Sequence, residues 1–186
     1  MRIDLHQHLL PKALLDALRS RDRAPWVSTG AHPTLHLSGE PTCAIDLAEH
    51  DPHERARRAP ADLIGLSLSC ALGIDLLDPA EAQPLLDLWH DGVQEFGTPF
   101  GSWVSIALTE PDLEIVRRDL SRPNTLGLQL PAPALATPDD VGRLGDVLAL
   151  CVELDRPVLV HPGPATIPDG ARPPSWWPAL VPYLAQ

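Results

Sequence analysis

The chain has almost no lysine. Lys12 stands alone, and the other thirteen of the 14 basic residues are arginine, so any chemistry that needs a lysine amine has one residue to use. Positive charge is scarce altogether. Fourteen basic side chains face 25 acidic ones, and a net charge of −11 argues against nucleic-acid or anionic-membrane partners. Apolar runs are short, and none reaches the ~18–20 residues of a membrane span. Asp4, His6 and His8 interrupt the N-terminal stretch where a signal peptide needs an unbroken apolar region. Cys43, Cys70 and Cys151 are an odd set with no CxxC pair, which reads as reduced, mostly buried thiols in a cytoplasmic protein. There is no phosphate loop and no GxGxxG, and "GLSLS" lacks the closing glycine of a nucleophile elbow. Nucleotide and serine-hydrolase chemistry are therefore unsupported.

What is present suits one globular domain over residues 1–186, with 44% hydrophobic and 21% charged residues. Many of the 22 prolines follow apolar runs, as short loops between repeated elements require. "PKALLDALRS" reads as a helix with Leu14, Leu15 and Leu18 on one face. Residues 21–46 read as an irregular insertion in which "TLHLSG" alternates like a small hairpin arm. "HDPHERARRA" carries a helix start, with Asp51 as N-cap, Pro52 at N1 and Glu54 at N3.

A rhythm then sets in. Strands are expected at 63–69, 102–108, 125–131 and 157–163. Helices are expected at 80–96 (with Pro84 delaying the start), 111–120 and 138–155, and "SWWPALVPYLAQ" looks like a further one. Strands alternating with helices imply βα units and a parallel sheet. Five units are expected, the fifth cut short, whereas a closed (β/α)8 barrel takes ~250 residues. The fold class expected is a TIM-type (β/α)8 barrel truncated after about five βα units; an open sheet is the alternative.

The chemistry lies at strand ends. In "MRIDLHQHLLP", His6 and His8 stand at i and i+2, so a strand from Ile3 to His8 places both imidazoles on one face. Two neutral imidazoles side by side suit a metal ion better than an apolar core. His161 ends another strand, and in parallel α/β folds the C-terminal strand ends form the active-site rim. Strands one and five of a barrel lie across from each other, so one metal between them touches all three rings.

"IDLHQHLLP", followed about 150 residues later by "VLVHPGP", resembles the amidohydrolase superfamily of metal-dependent (β/α)8 barrels. "GLQLP" and the "HPG" turn are most similar to the amidohydrolase-related branch that includes aminocarboxymuconate-semialdehyde decarboxylase. The resemblance spans essentially the whole chain. It implies one divalent metal, usually zinc, held by His6, His8 and His161, and a soluble enzyme acting on a small-molecule substrate. The implied reaction is hydrolysis of an amide or lactone, or non-oxidative decarboxylation of a small carboxylic acid, through metal-activated water. Two departures stand out. Members with two metals bridge them by a lysine on strand four, where this chain has Leu128-Gln129-Leu130. The family pattern also needs a histidine after strand six and an aspartate after strand eight, both beyond residue 186, so no catalytic residue is assigned.

Weaker candidates remain. Gln129, at a strand end, is a candidate contact for substrate or for a metal-bound water, against ordinary hydrogen bonding. Trp176 and Trp177 are candidate walls of a substrate pocket, against packing of a fifth helix. His50 and His53, at i and i+3, read as a solvated helix face rather than a metal pair. His32, His36 and His90 default to surface or packing roles. The rival to an enzyme is a truncated, non-catalytic barrel fragment serving as a binding or assembly module, or a partial gene product. On either reading strands one and five are open edges that invite homo-oligomers, and a shell lacking its carboxylate is expected to leave the 186-residue chain inactive.

Overall fold

The computed structural model describes residues 1–38 and 41–162. The chain opens with β1 (Ile3–Gln7) and α1 (Lys12–Arg19). It then runs through three short strands, β2 (Trp26–Val27), β3 (Thr34–His36) and β4 (Cys43–Ala44), to α2 (Pro52–Arg58). From there strand and helix alternate: β5 (Leu63–Leu66), α3 (Pro79–Phe96), β6 (Phe100–Val104), α4 (Leu113–Leu120) and β7 (Thr125–Pro131). Two consecutive helices, α5 (Pro138–Arg143) and α6 (Gly145–Glu153), lead to β8 (Val158–His161). The main sheet has the order β1-β5-β6-β7-β8 and every pairing in it is parallel. β2, β3 and β4 form a separate antiparallel sheet. Among the described residues no helix is long and apolar enough to cross a membrane.

Alternation along each strand decides what the sheet shows to each side. Ile64 and Leu66 of β5, with Leu68 just after it, pack against Leu14 and Leu18 of α1 and Leu86 and Trp89 of α3. Val104, Leu128 and Leu130 pack against Val116 and Leu120 of α4 and Val147 and Leu150 of α6. Each such side chain, fully buried, contributes about 1.5–3 kcal/mol, so this outer layer carries the fold. The opposite face holds the intervening residues: Gly65 and Ser67, Trp103 and Ser105, Gly127 and Gln129, then Leu159 and His161. It is small and polar where the outer face is apolar.

One large residue fills that inner face. Trp103 is almost fully buried, and its indole N–H donates to the Leu5 carbonyl of β1 at 2.8 Å, two strands away. Room for the indole comes from glycines on both sides. A Cβ on Gly65 would lie 2.9 Å from the indole nitrogen, and one on Gly127 3.0 Å from the ring. The sheet curls around this plug until His6 on β1 and His161 on β8, its first and last strands, have ring centroids 4.8 Å apart.

The structure departs from the sequence reading in several places. α3 starts at Pro79 despite Pro84, because Asp78 caps it by accepting from the Ala80 amide and Pro79 suits the first helical position. Pro84 falls on the exposed side, where solvent replaces the hydrogen bond its ring nitrogen does not donate. The 138–155 segment is two helices, broken at the buried Leu144 between Gly142 and Gly145. The strand expected at 102–108 sits earlier, at Phe100–Val104, and that expected at 63–69 ends at Leu66. Residues 21–46 contain the small three-stranded sheet and are not wholly irregular. Cys70 and Cys151 are buried, but Cys43 is exposed. Asp51 caps α2 as expected, accepting from the Glu54 amide.

The Trp103 plug makes a clear demand on Gly127, whose added Cβ would also lie 2.1 Å from the Pro157 carbonyl oxygen. Gly127→Ala is expected to destabilise the fold by about 3 kcal/mol, the upper range for overpacking. A lowered urea midpoint at unchanged slope would register it. A neutral substitution would show that the indole is not confined there.

Candidate metal centre

The histidines reach the inner face through an irregularity in β1. Its register against β5 runs Ile3 to Leu63 and Asp4 to Ile64, then slips so that Gln7 pairs with Leu66. The extra residue puts Asp4 and Gln7 on the same side, where the Gln7 amide donates to the Asp4 carboxylate at 2.7 Å. Asp4 also accepts from the His6 backbone amide at 3.3 Å. His6 and His8 are thereby turned together to the inner face, a re-aiming that bulges commonly supply beside functional sites. His161 arrives from β8, paired in register with Pro131 of β7.

The three rings form a triangle. Centroids are 4.6 Å apart for His6 and His8, 4.8 Å for His6 and His161, and 5.4 Å for His8 and His161. One nitrogen from each lies within 4.8 Å of the others. The Nδ1 of His8 is 2.8 Å from the Ser67 carbonyl oxygen, which requires the proton on Nδ1 and leaves Nε2 to the cluster. A backbone carbonyl in this role is a common orienting partner of metal-binding histidine. Burial, then the neighbouring His6 and His8, push the His161 imidazole down to about 4. Burial and His8 also lower His6, against a weaker opposite pull from Asp4. Near neutral pH His6 and His161 are therefore uncharged, the state a metal ligand needs. Three converging imidazoles, one of them oriented by a backbone carbonyl, are a donor set that fits a divalent ion.

Gln129 lies on the inner face of β7 and is 4% exposed. Its amide donates to the Leu68 carbonyl at 2.9 Å, and Cys70 Sγ and Ser105 Oγ are each 3.5 Å away. Its Oε1 is buried with no hydrogen-bond partner among the described residues, so the acceptor remains open. No lysine stands near: Lys12 is exposed on α1 and ion-paired with Asp16. Trp176 and Trp177 lie outside the described residues.

The remaining histidines are engaged elsewhere. His50 is not the solvated residue expected; it is half-buried, accepts from the Leu10 amide at 3.1 Å and is lowered by burial. His53 is exposed, and among the described residues neither joins a cluster of potential ligands. His36 stacks on Trp26 at 3.8 Å, pinning β3 to β2.

A second cluster, Asp87, His90 and Asp119, lies between α3 and α4 behind the sheet. Asp119 already accepts from Arg118 at 2.9 Å and Arg122 at 2.7 Å, and Arg118 also reaches Asp87 at 2.5 Å. Two guanidiniums neutralise these carboxylates, which makes the cluster an ion-pair network rather than a competitor for a metal. His90 sits within it, accepting from the Ser105 amide at 3.3 Å, with Nδ1 3.6 Å from Asp119. Sequence reasoning missed three contributors: Ser67, which acts through its backbone; Trp103, placed by curvature; and Asp4, which needs the register slip.

No family model matches the chain, and no curated protein matches it significantly. Solved structures do match. The IDCase of Metarhizium anisopliae in apo form aligns with a TM-score of 0.68 at 16% identity, over 97% of this chain and 56% of that one. A protein described as amidohydrolase II gives 0.60 at 21% identity, over 97% and 56%. The 5-carboxyvanillate decarboxylase of Novosphingobium aromaticivorans, complexed with manganese and 4-hydroxy-3-methoxy-5-nitrobenzoic acid, gives 0.61 at 20%, over 100% and 55%. The chain thus spans little more than half the length of these neighbours. At such identities the likeness establishes the fold: a parallel half-barrel of the (β/α)8 type. The resemblance read from "IDLHQHLLP" and "VLVHPGP" is borne out at that level, since an amidohydrolase and a decarboxylase are among the neighbours.

The second cluster gives a pH test away from the histidine triangle. Complete burial pushes His90 down to about 4, against the opposite pull of Asp119, while an unfolded chain binds that proton near 6.5. Above about 6.5 neither state is protonated. As pH falls from there towards 4 the unfolded state alone gains the proton, and stability is lost by about 3 kcal/mol. His90→Gln retains an acceptor for Ser105 and is expected to make this decline correspondingly shallower in denaturation series between pH 7 and 4.5. An unchanged slope would place the titration elsewhere.

Proposed function

We propose that this chain carries the metal-binding half of an amidohydrolase-type enzyme that acts on a small carboxylic-acid substrate, by hydrolysis or by non-oxidative decarboxylation. The carrying observation is the meeting of His6, His8 and His161, from the two ends of the sheet, at one point of the inner face. The decarboxylase among the fold neighbours, described with manganese and a carboxylated aromatic ligand, favours the second reaction.

His6, His8 and His161 would hold one divalent ion, and three imidazoles suit zinc. Such an ion draws electrons from a carboxylate or carbonyl and acidifies water to a pKa of about 7. The chain's own residues supply the setting. The Ser67 carbonyl orients His8, and Trp103 of β6 closes the inner face. The open Oε1 of Gln129 accepts a hydrogen from substrate or from water above it, and Trp176 is assigned to the substrate wall from its position in the sequence. With no lysine on β7, one ion is expected rather than a bridged pair.

Elemental analysis tests this. The enzyme of which this chain is the metal-binding half is expected to hold about one divalent ion per chain, and His6→Ala with His8→Ala to lose it. Gln129→Ala is expected to leave metal content near one while weakening substrate affinity or rate. Two ions per chain, or metal retained without the two histidines, would overturn the reading.

A further inference from the structure

Beside the histidine triangle, over the ends of β5, β6 and β7, lies a cavity of about 340 Å³. Its walls are apolar where Leu108, Pro131, Ala134 and Leu144 meet. Among them stands one buried carboxyl group, Asp75, 8% exposed. The turn that carries it is tied down twice: the Asp75 carbonyl accepts from the Leu108 amide at 2.8 Å, and the Thr109 hydroxyl donates to the Leu77 carbonyl at 3.2 Å. Among the described residues only backbone amides, its own and that of Leu76, offset the burial of the carboxyl group. A carboxyl group held rigidly in an apolar hollow, ion-paired with no cation among the described residues, adds nothing to packing, and such groups gather at ligand sites.

We propose that this cavity binds a small uncharged ring bearing a hydroxyl or amide N–H, with Asp75 accepting that hydrogen. The volume is within the usual range for ligand pockets, about 300–1,000 Å³, and a single benzene ring needs only about 150 Å³. The site adjoins the triangle, since Pro131 in its wall pairs with His161. It does not depend on a metal, and its test is made without one.

The charge around the cavity is simple. The Cys70 thiol, in the same wall, is pushed up to about 12 by burial and by Asp75, and stays neutral. Asp140 and Arg143 of α5, at the rim, pair with each other. Among the described groups that line the cavity, Asp75, raised to about 6 by burial, is thus the one that changes charge between pH 5 and 8. Below about 6 it is protonated and donates to a carboxylate; above, it repels one.

Phenol, toluene and benzoate titrated into the chelator-treated 186-residue chain, followed by amide chemical shifts, test the proposal. Saturable phenol binding is expected, with shifts at Leu108, Ala134 and Leu144. Asp75→Asn is expected to weaken phenol about tenfold, the scale of a charge-assisted hydrogen bond, and to leave toluene unchanged. Benzoate is expected to bind about tenfold more tightly at pH 5 than at pH 8, a difference lost in Asp75→Asn. Leu144→Trp, or Ala134→Phe where the first variant fails to fold, fills the cavity and abolishes binding. Phenol shifts elsewhere, binding unaltered in the filled variants, or indifference to Asp75→Asn would each overturn the proposal. His6→Ala is expected to leave phenol binding intact, so the two sites stand or fall separately.

Discussion

Everything at the candidate site depends on curvature, and the curvature turns on one indole. The first and last strands of an open five-stranded parallel sheet lie well apart, because neighbouring strands are about 4.8 Å from each other. Here their histidines touch. Trp103 reaches from the middle strand to the Leu5 carbonyl on β1, and Gly65 and Gly127 clear space for it on either side. The hydrogen bond itself is modest, about 1 kcal/mol net. Its weight lies in direction, since the ring is bonded at one end and hemmed in by backbone at the other.

The same two-sidedness explains how a polar site is tolerated. The outer face buries its leucines, isoleucines and valines against four helices, so stability does not require an apolar inner face. Serine, glutamine and histidine can gather there at little expense to the core. The buried acceptor of Gln129 and the buried hydroxyl of Ser67 lack partners among the described residues, a cost a pure packing surface avoids and a binding surface accepts.

Histidine meets two contrasting surroundings in this fold. In the triangle, His6 and His161 lie among other imidazoles, and burial keeps them neutral. Behind the sheet, His90 is buried beside Asp119, but two arginines already satisfy that carboxylate. Burial lowers His90 and His161 alike to about 4. The neighbours, not the titration, decide which cluster suits a cation.

Much of this was legible in the chain itself. The βα rhythm, the cap at Asp51 and the 125–131 strand follow from local chemistry: spacing of apolar residues, a carboxylate before a helix, alternation bounded by proline. The pairing of His6 with His8 also follows, because i and i+2 share a face of any strand. Which face they share was not legible. A register slip after Asp4 turns them inward, and it exists only because β5 lies alongside. The carbonyl that orients His8, the indole that curls the sheet and the carboxyl group left in an apolar hollow are likewise contacts between residues about 30 to 100 positions apart. The sequence by itself determined the elements and the donors. Tertiary structure alone decided their meeting, because curvature and register belong to strands packed together and to no strand singly.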